Sequence, residues 1–125
     1  MRGATLDAGA LIAFERGSRP AVALIARAVE RDVRLAVPAG AVAHVWRDGS
    51  RQARLSRLLG STVVEVVALD DAAARAAGQI CGVCGTSDVV DASVVLCAAE
   101  RGHAIVTGDA RDLRRLDPSI EIIVV

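Results

Sequence analysis

Residues 104–109, Ala104-Ile105-Val106-Thr107-Gly108-Asp109, form an apolar, β-branched run that stops at a glycine and an aspartate. A short apolar run bounded by turn residues predicts a strand covered on both faces, as in a parallel sheet. Upstream, residues 88–101 read as an apolar helix that Gly102 stops. Downstream, residues 109–116 read as a short helix with Pro118 past its end. Helix, buried strand and helix in immediate succession is the repeating unit of an α/β domain.

The same alternation extends outward from this segment. Four further runs, 3–7, 33–37, 63–68 and 120–125, read as strands. Helices are predicted over 8–16, from Ser18-Arg19-Pro20 through Val29, from Pro38 through Trp46, over 51–60, and from Asp70 across Ala72 to Ile80. Ser18 reads as an N-cap with Pro20 near the first helical position. Val22, Ile25, Ala26 and Val29 then form a helical apolar stripe. The order β-α-α-β-α-α-β-α-α-β-α-β predicts one domain over residues 1–125. Its expected architecture is a three-layer α/β/α sandwich with a central, mostly parallel five-stranded sheet.

The aspartates follow that architecture. Ala4-Thr5-Leu6-Asp7 ends the first strand in an acid, Asp88-Val89-Val90-Asp91-Ala92 opens an apolar helix, and Asp109 follows the fourth strand with Asp112 one turn later. In open α/β sheets ligands bind outside the carboxyl ends of the strands. Acids gathered there from separate parts of the chain repel one another unless a cation offsets them, and carboxylates suit Mg²⁺ or Mn²⁺. Asp88 and Asp91, three apart, share a helix face at the positive end of that helix. Taken singly, Asp88 and Asp109 read equally well as N-caps. Taken together, Asp7, Asp91 and Asp109 point to a metal centre, with Asp112 beside it. Thr107 is either a hydroxyl next to the metal or an ordinary strand residue. A centre of one or two such ions acidifies a bound water and polarises a phosphoryl oxygen, so phosphodiester hydrolysis there needs no side-chain nucleophile.

Composition narrows the alternatives. Hydrophobic residues make up 53% of the 125, which excludes a disordered chain, and only 2% are aromatic, so the core must be aliphatic. The only histidines are His44 and His103, and no glycine elbow surrounds a serine, which argues against a Ser-His-Asp hydrolase. All 15 basic residues are arginine, so the lysine of a phosphate-binding loop is absent. Net charge is zero, and no global field draws the chain to a polyanion. Local clusters do occur, from Arg47 to Arg57 and at Arg111, Arg114 and Arg115. They are either solvated helix faces or a basic rim around the acids, with Arg47, Arg51 and Arg111 as candidate polyanion contacts. Cys81-Gly82-Val83-Cys84 has CxxC spacing but ends a helical stretch among glycines, which favours buried thiols over a redox or zinc site. No apolar run reaches membrane-spanning length and no leader is apparent in Met1-Arg2-Gly3, so the expected location is the cytoplasm, without a membrane partner.

Four segments, in this order and at these spacings, resemble the PIN-domain family, and within it the bacterial VapC-type toxins. They are Leu6-Asp7-Ala8-Gly9-Ala10-Leu11, then Val37-Pro38-Ala39 leading to Val45-Trp46-Arg47, then Asp88-Val89-Val90-Asp91-Ala92, and finally Val106-Thr107-Gly108-Asp109 with Asp112-Leu113. The resemblance implies a Mg²⁺- or Mn²⁺-dependent endoribonuclease acting as the toxin of a type II toxin–antitoxin pair. It further implies a homodimer and a VapB-type antitoxin whose C-terminal segment blocks the acidic site. Asp7, Asp91 and Asp109 match the family's metal-binding acids, Asp112 matches a frequent additional acid, and Asp88 is adjacent.

The departure is His44, which stands where the family usually has glutamate. Three readings are open for it. It is a nitrogen ligand that biases the site toward Mn²⁺ or Zn²⁺, a neighbour that orients water or phosphate, or the mark of a weakened site. In the last case the protein binds RNA or its antitoxin without efficient turnover. A receiver-like domain using Mg²⁺ for phosphoryl transfer would want a lysine near the end of the chain, and there is none.

Overall fold

The computed structural model describes residues 3–125; Met1 and Arg2, the start of the terminus expected to carry no leader, lie outside the described residues. The first half contains β1 (Ala4–Leu6), α1 (Ala8–Glu15), α2 (Arg19–Glu30), β2 (Leu35–Pro38), α3 (Ala39–Val45), a 3₁₀ turn at Gly49–Arg51 and α4 (Ala53–Leu59). The second half contains β3 (Val64–Val67), α5 (Asp71–Cys84), α6 (Val89–Arg101), β4 (Ala104–Thr107), α7 (Arg111–Leu116) and β5 (Ile122–Val124).

The five strands form one sheet in the order β3-β2-β1-β4-β5, and every pair is parallel. The chain steps outward from β1 to β2 and β3, then returns to lay β4 on the other side of β1. The order therefore reverses between β1 and β4, where Leu6 stands opposite Val106. A crevice at the carboxyl ends of the two strands flanking such a reversal is where this class of sheet binds ligands.

Alternation along β4 shows how the core divides. Val106 packs with Leu6, Leu11, Val37 and Leu55 against α1 to α4, while its neighbour Ile105 packs with Val94, Val95 and Ala98 of α6 and Leu113 of α7. Successive strand residues point to opposite faces. With both faces covered, β1, β2 and β4 are buried along their whole length, which is why their sequence shows no polar alternation. Buried alanines such as Ala10, Ala28, Ala92 and Ala98 let helices pack without aromatic filling.

Several predicted boundaries shift for identifiable reasons. Residues 33 and 34 do not extend β2. The Val33 N–H instead bonds the Ala28 carbonyl at 2.8 Å, closing the end of α2, with Asp32 at φ 56°. This is the 6→1 bond of a Schellman-type ending. α5 continues four residues beyond Ile80, because Cys81 packs with Ala77 and Ala92 and holds the last turn down. Gly85, at φ 70°, then ends it in the left-handed conformation. Ser18 occupies the N-cap position of α2 but makes no side-chain capping bond. All three cysteines are free thiols. Among the described residues no single helix is long and apolar enough to cross a membrane.

Candidate active site

β1 ends at Leu6, and Asp7 turns the chain into α1. Its Oδ1 accepts the Ala10 N–H at 2.8 Å, an N-cap bond. Its Oδ2 accepts the hydroxyl proton of Thr107, the last residue of β4, at 2.5 Å. The Thr107 hydroxyl in turn accepts the Asp109 N–H at 3.1 Å. Asp7 is 7% exposed. Burial pushes its carboxyl above the usual range, and the Thr107 hydroxyl and the Ala10 N–H work against that rise. Gly9 belongs to this construction, since a Cβ there would stand 3.0 Å from the Gly108 nitrogen and 3.4 Å from Asp7 Oδ1. A side chain there would require the loop after β4 to give by a few tenths of an ångström.

The second acid enters from α6. Asp88 is the N-cap, accepting the Asp91 N–H at 3.0 Å. Asp91 itself is half-buried in the first turn. Its carboxyl is pushed up to about 7, first by burial, then by the carboxylate of Asp88, and further by Asp7 and Asp112. Three acids, Asp7, Asp88 and Asp112, therefore bear on the Asp91 carboxyl. Asp88, Asp91 and Asp112 line a cleft of about 120 Å³ together with Cys84, Thr86, Arg115 and Leu116.

The other predicted residues lie differently. Asp109 does not cap α7, whose N-cap position is Ala110. It is exposed and gripped by Arg111, which donates a guanidinium N–H at 2.7 Å and its backbone N–H at 3.0 Å. That partner holds the Asp109 carboxyl down at about 2. Asp109 is not among the charges that raise Asp91. His44 is exposed in the last turn of α3 and is hydrogen-bonded to none of the acids. The three arginines proposed as RNA contacts are engaged within the chain. Arg47 donates to the carbonyls of Ala43 and Trp46 at 3.0 and 2.7 Å, Arg51 pairs with Asp48 at 3.7 Å, and Arg111 holds Asp109. Sequence reasoning did not single out Thr86, Cys84 or Arg115 as lining the acidic cleft. For Arg115 a signal existed, since it stands three residues from Asp112 on α7.

Carboxylates are hard oxygen donors suited to Mg²⁺ or Mn²⁺, and the repulsion that raises Asp91 is what a bound cation would relieve. The donor chemistry and the charge fit such an ion. Among the described residues, however, no three His, Cys, Asp or Glu side chains converge into a ready ligand cluster.

Residues 4–118 match the sequence profile of the PIN domain. The chain belongs to the PIN-domain family. Solved structures with the same fold include VapBC2 from Rickettsia felis bound to a DNA fragment from its promoter, at 12% identity and TM-score 0.73, covering 98% of each chain. A toxin–antitoxin complex from Klebsiella pneumoniae shares 14% identity at TM-score 0.70, over 98% of this chain and 97% of the other. FitAcB from Neisseria gonorrhoeae shares 18% identity at TM-score 0.62, over 96% of each chain. No curated protein sequence matches significantly. At these identities the likeness of the PIN domain to its neighbours is one of fold, and the five parallel strands with helices on both faces agree with it.

Proposed function

We propose that this PIN domain is a divalent-metal-dependent ribonuclease, the toxin of a VapBC-type pair. In this reading Asp7, Asp91 and Asp112 hold Mg²⁺ or Mn²⁺, with Asp88 beside them and Asp109 available once Arg111 releases it. The observation that carries the reading is that Asp7, Asp88 and Asp112 all bear on the Asp91 carboxyl, with Asp88, Asp91 and Asp112 lining one cleft. A bound ion would neutralise charge on the phosphodiester and acidify the attacking water. The chain's own residues do the rest. Ala10 and Thr107 fix both oxygens of Asp7, so one carboxylate is held in a set orientation without rearrangement. Asp91, placed in the first turn of α6, is a second carboxylate within electrostatic reach of Asp7. The absence of a serine or histidine triad agrees with a reaction that uses water directly.

Solved relatives of this fold that are toxin–antitoxin complexes support an antitoxin partner. A homodimer and a cytoplasmic location belong to the same proposal. Incubation of total RNA with the purified protein in Mn²⁺, Mg²⁺ and EDTA tests the reading: discrete fragments that vanish in EDTA support it, and intact RNA under all three conditions opposes it.

A second reading has an observation of its own. His44 is exposed and contacts no acid by hydrogen bond, so the site lacks the carboxylate that the resemblance leads one to expect there. A weakened enzyme that binds RNA or antitoxin without efficient turnover would show binding without cleavage.

A further inference from the structure

Asp112 and Arg115 stand three residues apart on α7, and both line the acidic cleft. The three arginines singled out as candidate contacts are occupied within the chain: Arg47 by backbone carbonyls, Arg51 by Asp48 and Arg111 by Asp109. Arg115 is exposed and forms no ion pair among the described residues. It thus places a guanidinium without an ion-pair partner in the cleft it shares with Asp88, Asp91 and Asp112. A second donor stands there too. The Thr86 hydroxyl accepts the Asp88 N–H at 3.2 Å and keeps its own proton to give.

The size of the cleft narrows what this pair can bind. Pockets that enclose small molecules measure roughly 300–1,000 Å³, whereas this one is about 120 Å³. It suits one group of a polymer lying across the surface better than a whole ligand. The guanidinium is a planar fork of donors that matches the oxygens of a phosphate.

We propose that Arg115, assisted by the Thr86 hydroxyl, binds a phosphate of single-stranded RNA next to the one presented to the carboxylates, and so sets the register of the strand. The proposal rests on the ribonuclease reading above. It makes Arg115 a substrate-positioning residue whose loss weakens binding more than turnover.

The test measures binding of a short fluorescein-labelled single-stranded RNA of mixed sequence across a salt series. It uses the Asp91→Asn protein to prevent cleavage, alone and combined with Arg115→Ala or Arg115→Lys. Wild-type cleavage of the same RNA in Mn²⁺ runs alongside. Loss of a charged hydrogen-bonded contact is expected to weaken binding about tenfold in Arg115→Ala. The slope of log affinity against log salt should also fall by about 0.7, the signature of one phosphate contact on a single strand. Arg115→Lys should keep the slope and recover part of the affinity. In the cleaving protein, Arg115→Ala should raise KM and leave kcat near wild type. Unchanged affinity in Arg115→Ala, or weaker binding with an unchanged slope, overturns the assignment. If wild type cleaves while either of those results is found, this inference falls and the ribonuclease reading stands. If wild type neither binds nor cleaves the RNA, both fall.

Discussion

The hydroxyl of Thr107 donates to the buried carboxylate of Asp7 across 2.5 Å, joining the ends of β4 and β1 where the sheet reverses direction. Replacing Thr107 with valine keeps the shape and removes the donor. A buried acceptor left without its partner costs about 1–3 kcal/mol. Thr107→Val should therefore lower unfolding stability by that order and raise the Asp7 pKa further. It should also weaken metal-dependent cleavage by ~10- to 100-fold, as for other residues that orient a ligand. Thr107→Ser should restore most of both. Urea denaturation and single-turnover cleavage separate the two effects.

Asp91 gives the metal-free protein a pH dependence of definite sign. Its folded pKa of about 7 lies above the 3.8 of an unperturbed carboxyl, so between those values the folded state binds more protons than the unfolded state. The associated stability is complete below the lower value and is lost as pH rises through the upper one. Asp7, also raised, acts in the same sense. His103, lowered first by burial, acts against it around neutrality, so the clean comparison is with Asp91→Asn. In EDTA, the melting temperature of Asp91→Asn should gain on wild type from pH 5 to pH 8. Mn²⁺ at pH 8 should reverse the order by stabilising wild type. A gap that stays constant with pH would mean Asp91 is not held protonated.

The Asp109–Arg111 pair sets up a competition. With Arg111 replaced by alanine, the Asp109 carboxyl should rise from about 2 toward its ordinary range, and the carboxylate should become free to join the neighbouring acids. Both residues are exposed, so folding stability should hardly move. Mn²⁺ affinity, followed by calorimetric titration, should tighten in Arg111→Ala. An unchanged affinity would place Asp109 outside the metal site.

His44 can be converted to a carboxylate with little risk to the fold. Exposed substitutions away from packing features stay within about 0.5 kcal/mol, and His44 has no hydrogen bond to lose among the described residues. His44→Glu should raise cleavage in Mg²⁺ relative to Mn²⁺, since a hard oxygen replaces a nitrogen. An unaltered metal preference would put this position beyond the reach of the ion.

The fold was largely legible because its signals were local. Val-, Ile- and Leu-rich runs between glycines and aspartates marked the strands, and Gly102 marked the end of α6. The misplaced boundaries were decided by bonds that no local pattern records, such as Val33 N–H turning back to Ala28 and Cys81 packing under Ala92. The placement of Asp7 and Asp91 was legible, since it follows from a strand end and a helix start. That of Asp109 and Arg111 was not. Their i,i+2 pairing is a side-chain choice made after the turn has formed. Arg115 was read only as one of a cluster with Arg111 and Arg114 for a related reason: the sequence offers a run of arginines, and only the seating of α7 beside the N-terminus of α6 decides which one reaches the cleft.

The most direct test of the central claim compares RNA cleavage by wild type, Asp7→Asn and Asp91→Asn in Mn²⁺, with circular dichroism to verify that each variant is folded. Wild type should show metal-dependent cleavage, and both folded variants should lose it. Cleavage that persists at the wild-type rate in folded Asp91→Asn would contradict that claim.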